Sequence, residues 1–140
     1  MAEGSTEDCV VCGSETAVGP VPEDCRDIID GDTGALLVCR RCLAIEPADE
    51  SITEMTPVVT DISSALPSDA ETAVAVVILV ELLESLALNR REIETVVDYL
   101  ERSGVDPLLA LDRLASERRT TDRVDLDRRQ HQLAQVLGQS

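Results

Sequence analysis

A chain of 140 residues has room for one ordinary domain, or for a small domain beside a modest second one. Apolar residues make up 44%, but with one tyrosine and no tryptophan or phenylalanine the core is aliphatic, and stacking of bases on aromatic rings is all but excluded. Twenty-eight acids face twelve basic residues, all of them arginine, for a net charge of −16.

Residues 1–8 read as a flexible acidic tail, with neither the basic start nor the apolar stretch of a signal peptide. Residues 9–47 hold all five cysteines among turn-forming glycines and prolines. There, Leu36-Leu37-Val38 and Leu43-Ala44-Ile45 flank Cys39-Arg40-Arg41-Cys42, which predicts a β-hairpin with a metal knuckle at its tip. Residues 48–66 read as an irregular connection, and residues 67–140 as a helical bundle.

In the bundle, Ser68 with Glu71 predicts a capping box opening a helix to about Leu88, apolar on most faces. Such a helix is covered by neighbours or by a second subunit, so a homodimer through helix 70–88 is one expectation. Its apolar run is too short for a membrane span. Asn89 with Glu92 predicts a second box, and Ile93, Val96, Val97 and Leu100 recur at helical spacing before Gly104 ends the helix. Asp106-Pro107 predicts the cap and first position of a third helix with Leu108, Leu111 and Leu114 inward. A fourth runs from Asp122 or Asp125 to Leu137, with Leu126, Leu133, Val136 and Leu137 on one side.

The charge points to a salt-rich cytoplasm. At ordinary ionic strength a net −16 repels itself, whereas in molar salt the Debye length falls to roughly 3 Å and the repulsion is screened. Carboxylates keep a surface hydrated where water is scarce, and long lysine stems do not, which fits the absence of lysine. In that setting net charge says little about partners, and local clusters of arginine carry the information.

Cys9, Cys12, Cys39 and Cys42 form two Cys-x-x-Cys pairs separated by 26 residues. Each pair lets two thiolates reach one ion from a tight turn, and Gly13 suits such a turn. Four sulfurs close a tetrahedron and leave no open position, the pattern of one structural Zn2+. A single iron, as in rubredoxin-like carriers, or a redox dithiol uses the same cysteines, but Cys39-Arg-Arg-Cys42-Leu lacks the proline and glycine usual around an iron knuckle. Cys25, the odd one, reads as a small apolar residue.

Arg40 and Arg41 on the knuckle, and Arg118, Arg119, Arg128 and Arg129 in the C-terminal third, form the candidate contact surface. A solvated knuckle and intrahelical pairs such as Asp125–Arg129 are the competing account. Leu108 to Leu111 occupy the stretch where a recognition helix shows polar base readers, which argues against specific DNA binding. His131 stands without a second histidine or a nucleophile pattern, so no catalytic residues are assigned and no enzyme is expected.

Val21-Pro22-Glu23-Asp24, Cys39-Arg-Arg-Cys42-Leu and Glu46-Pro47, with LLESLALNR over 82–90, GVDPLLALDRLA over 104–115 and DLDRRQHQLAQVL over 125–137, resemble a family of uncharacterised haloarchaeal proteins. The resemblance covers nearly the whole chain and implies a zinc-ribbon-like head on a helical body in a haloarchaeal cytoplasm. Val10-Val11 and Cys25 depart from it without touching the four ligands. The combined expectation is an α+β protein with a zinc ribbon followed by about four helices. Its expected role is a non-enzymatic protein- or ribonucleoprotein-interaction module, a small redox carrier being the alternative.

Overall fold

The computed structural model describes residues 13, 15–28, 34–40, 43–47, 59–62, 65–118 and 126–138. The chain is α+β. Three antiparallel strands, β1 (Thr16–Pro20), β2 (Ala35–Cys39) and β3 (Ile45–Pro47), lie in the order β1-β2-β3. Four helices follow: α1 (Ala70–Leu83), α2 (Arg90–Arg102), α3 (Pro107–Arg118) and α4 (Leu126–Gly138). The expected hairpin is the β2–β3 pair, with Val38 opposite Ile45. β1 is an addition, set against β2 with Thr16 opposite Cys39 and Val18 opposite Leu37.

β1 and β2 are buried along consecutive residues, the mark of a strand covered on both faces. Val21, Leu36, Val38 and Leu43 join one continuous apolar core with α1, α2 and α3 and with Leu133 of α4. The contact is tightest at Gly19, where an added Cβ would lie 2.4 Å from Val74 Cγ2 and 2.9 Å from Val59 Cγ1. Val59 belongs to a short 3-10 turn, Val59–Asp61, inside the segment expected to be irregular.

α1 starts one residue later than the Ser68 box predicts. Asp69 is its N-cap, accepting from the Thr72 backbone N–H at 3.1 Å, while the Thr72 hydroxyl donates to the Asp69 carbonyl at 2.9 Å. The first bond satisfies one free N–H at the helix start and the second adds a donor to the Asp69 carbonyl, so the end is capped without the box expected of Ser68 and Glu71. The helix also stops at Leu83, not Leu88, and residues 84–89 form a turn. Asn89 is drawn into closing that turn: its Nδ2 donates to the Leu82 carbonyl at 3.0 Å, so it makes no side-chain cap for α2.

Thr72 to Val80 are buried within this chain, which leaves no apolar face along that stretch for a second subunit. Leu88, on the turn after α1, is 84% exposed.

The end of α2 and the start of α3 follow their sequence signals. α2 closes in a Schellman motif, with Gly104 at φ +87, Val105 N–H donating to Leu100 O at 2.9 Å and Gly104 N–H to Glu101 O at 3.1 Å. Ile93, Val96, Val97 and Leu100 are all buried. Asp106 Oδ1 accepts from the N–H groups of Leu108 and Leu109 at 3.0 and 3.2 Å, capping α3 ahead of Pro107. On α3, Leu111 and Leu114 point inward as expected, whereas Leu108 is half-buried. Among the described residues no helix is long and apolar enough to cross a membrane.

Candidate metal centre

Cys39 is the last residue of β2 and is fully buried. Its N–H donates to the Ala44 carbonyl at 2.9 Å and its carbonyl accepts from the Leu43 N–H at 3.2 Å, so backbone bonds close the turn over Cys39–Leu43. Leu43 sits at φ +64, left-handed backbone that costs a residue with a side chain roughly 1–2 kcal/mol. It is held there because its side chain is fully buried in the core. Gly13, which follows Cys12 in sequence, has φ +79. Each Cys-x-x-Cys sequence is thus followed by a residue with left-handed backbone.

The strand register joins these turns. Beyond the Thr16–Cys39 pair the ladder continues, with the Arg40 N–H donating to Glu15 O at 2.9 Å. Gly13 is two residues before Glu15, within about 7 Å by chain length alone. Gly13 and Leu43 therefore lie at the same end of the sheet. Of the predicted ligands, Cys39 is described, and Cys9, Cys12 and Cys42 lie outside the described residues. Among the described residues no three Cys, His, Asp or Glu side chains converge as a ready metal cage.

Cys25 is elsewhere, in the 3-10 turn Glu23–Cys25, enclosed in the core. Burial, with the Asp24 charge second, pushes its thiol up to about 11. It is a neutral, packed group, as its apolar reading expected. Because the folded state holds the proton more tightly than the unfolded chain does, unfolding releases it first once the pH passes about 9. Stability at Cys25 is therefore present below about pH 9 and lost as the pH rises toward about 11. Urea melts of the wild type and of Cys25→Ala across that range check this; the wild type is expected to lose stability more steeply.

Of the candidate arginines, the side chains of Arg40, Arg128 and Arg129 are described. Arg40 stands at the end of β2, while Arg128 and Arg129 are on α4; Arg41 and Arg119, and the side chain of Arg118, lie outside the described residues. Arg129 donates from Nη1 to Gln132 Oε1 at 2.9 Å and from Nη2 to the Glu84 carbonyl at 3.3 Å. Asp125, its expected partner, lies outside the described residues. Sequence reasoning missed Arg102, which donates to Asp24 at 2.6 Å and to Asp98 at 2.9 Å and so ties the Glu23–Cys25 turn to α2. Asp98–Arg102 is readable as an i, i+4 pair; no local signal marks a partner 78 residues away.

Residues 8–137 match a family described as "Family of unknown function (DUF6276)", and the chain belongs to that family. No curated protein and no solved structure matches it.

Proposed function

We propose that this protein is a non-enzymatic interaction module of a haloarchaeal cytoplasm, whose N-terminal sheet is completed as a zinc ribbon by one structural Zn2+ on Cys9, Cys12, Cys39 and Cys42. The observation that carries the reading is the paired geometry at one sheet end. Gly13 and Leu43, which follow the two Cys-x-x-Cys sequences and share left-handed backbone, lie toward one end of the sheet through the Thr16–Cys39 and Glu15–Arg40 register, and this supports the reading. Four thiolates fill a tetrahedral ion and leave no position for substrate water, so the metal shapes the surface and does no chemistry there.

The partner is a protein. Arg102 and Arg90 are engaged with carboxylates of their own chain, and the chain lacks the aromatic platform that holds single-stranded RNA. Tagged protein retrieved from extract in molar salt, with and without nuclease, tests this. A partner that survives nuclease is expected, a partner lost on treatment moves the module to a ribonucleoprotein, and recovery of the protein alone overturns the reading. Metal analysis of the same preparation separates colourless zinc from the coloured ferric tetrathiolate of a rubredoxin-like carrier.

The charge yields a second expectation. Dialysis below about 0.1 M salt removes the screening of a net −16 and should lower helicity. Exposed pairs such as Arg102–Asp24 strengthen at low salt, but such pairs contribute little and do not offset a sixteen-charge surplus. Far-UV circular dichroism over a salt series checks it; a flat response argues against salt adaptation.

A further inference from the structure

Where the turn after α1 meets α4, a hollow of about 540 Å³ opens to solvent, lined by Leu86, Leu88, Val136, Gln132, Gln135 and Arg129. Two features set it apart. Leu88 is 84% exposed, and the other large apolar side chain exposed among the described residues, Leu109 on α3, is only 44% exposed. Arg129, beside it, is a cation held by neutral acceptors alone, the Gln132 amide oxygen and the Glu84 carbonyl. Its Nε is buried with no acceptor, and among the described residues no carboxylate pairs with it. Among the described residues this guanidinium thus has neutral acceptors only, and a carboxylate from outside would complement its charge.

We propose that this hollow binds an aliphatic, carboxylate-bearing segment of a protein partner. The two protein bonds hold the guanidinium in place and use one hydrogen on each terminal nitrogen, leaving further N–H donors for a carboxylate. Leu86, Leu88 and Val136 offer the apolar contact that such a segment's side chain covers. Apolar contact and the charge-assisted bonds share the affinity, and because Arg129 is partly buried those bonds are screened less than a fully exposed pair, so binding persists in molar salt. The inference deepens the interaction-module reading and names the chemistry of its partner.

The probe is N-acetyl-leucine, which joins one aliphatic side chain to one carboxylate, titrated in molar potassium chloride into the full chain and followed by amide NMR shifts. Saturable shifts at residues 86–88, 132 and 136 are expected with a dissociation constant on the order of millimolar, and about tenfold weaker with N-acetyl-leucinamide. Arg129→Gln should abolish the preference for acid over amide. Because Arg129 also tethers α4 to the turn, Leu88→Asp serves as the second variant: it alters an exposed position, leaves the fold intact, and should repel the acid from the hollow. Equal response to acid and amide, a preference that survives Arg129→Gln, or no shift at about 50 mM probe overturns the proposal. A nuclease-resistant partner recovered while the titration fails removes this site and leaves the module reading standing; binding here with no partner in extract does the reverse.

Discussion

Cys39→Ser is expected to take the zinc content from one per chain to near zero and to lower the melting temperature by roughly 10 °C. The estimate combines loss of one ligand of four with a hydroxyl placed at a fully buried position, together about 3–4 kcal/mol at roughly 2–4 °C per kcal/mol for a chain of this size. The helical signal should persist at low temperature, since Gly104 closes α2, Asp106 caps α3, and both helices share the apolar core with α1. It should melt earlier, because Leu36, Val38 and Leu43 share a core with α1. Atomic absorption on the purified variant, beside Cys25→Ser as the control that keeps its metal, decides the matter. Full zinc in Cys39→Ser sinks the four-ligand assignment.

Gly19→Val should destabilise by about 2 kcal/mol, lowering the melting temperature by roughly 4–8 °C, although valine is by far the better strand residue. Propensity favours valine by at most about 1 kcal/mol. Against it, the first added atom meets Val74 Cγ2 at 2.4 Å and Val59 Cγ1 at 2.9 Å, both fully buried, and overpacking of such a site costs about 1–3 kcal/mol before the rest of the side chain is counted. Thermal melts of Gly19→Ala, Val74→Ala and the double variant test the cause. Trimming Val74 should restore part of the loss, and strict additivity would show that the strain lies elsewhere.

Local chemistry wrote the parts of this fold that were readable. Gly104 in the left-handed region and Asp106 ahead of Pro107 mark helix ends whose hydrogen bonds close within five residues, so the sequence window contains the whole cause. Where two local solutions compete, the window does not choose: Ser68 and Asp69 both precede α1, and it is Asp69 whose carboxylate accepts from the Thr72 N–H. Asn89 was misread for a longer-range reason, its amide being engaged by the Leu82 carbonyl across the turn. β1 escaped notice because Thr16–Pro20 includes a glycine and a proline and alternates no polarity, being a strand made by β2 on one side and α1 behind it. At the metal centre, spacing alone named four cysteines. It did not announce that Leu43 would take the backbone shape that glycine takes at position 13, since that depends on a core that holds the leucine side chain.

The enclosure of α1 has a consequence for how the molecule fails. Val74, Val76, Val77, Ile78 and Val80 are β-branched, each less favourable in a helix than alanine by roughly half a kcal/mol, so this stretch is helical because it is wrapped. Released, Ala73 to Val80 is an uncharged run without glycine or proline, the composition that stacks into intermolecular sheets. Heating past the transition should therefore be one-way, with a midpoint that moves with scan rate, and salting-out ions that strengthen apolar burial will hasten the aggregation. The working durability of this chain is a rate, set by how often the layers around α1 part.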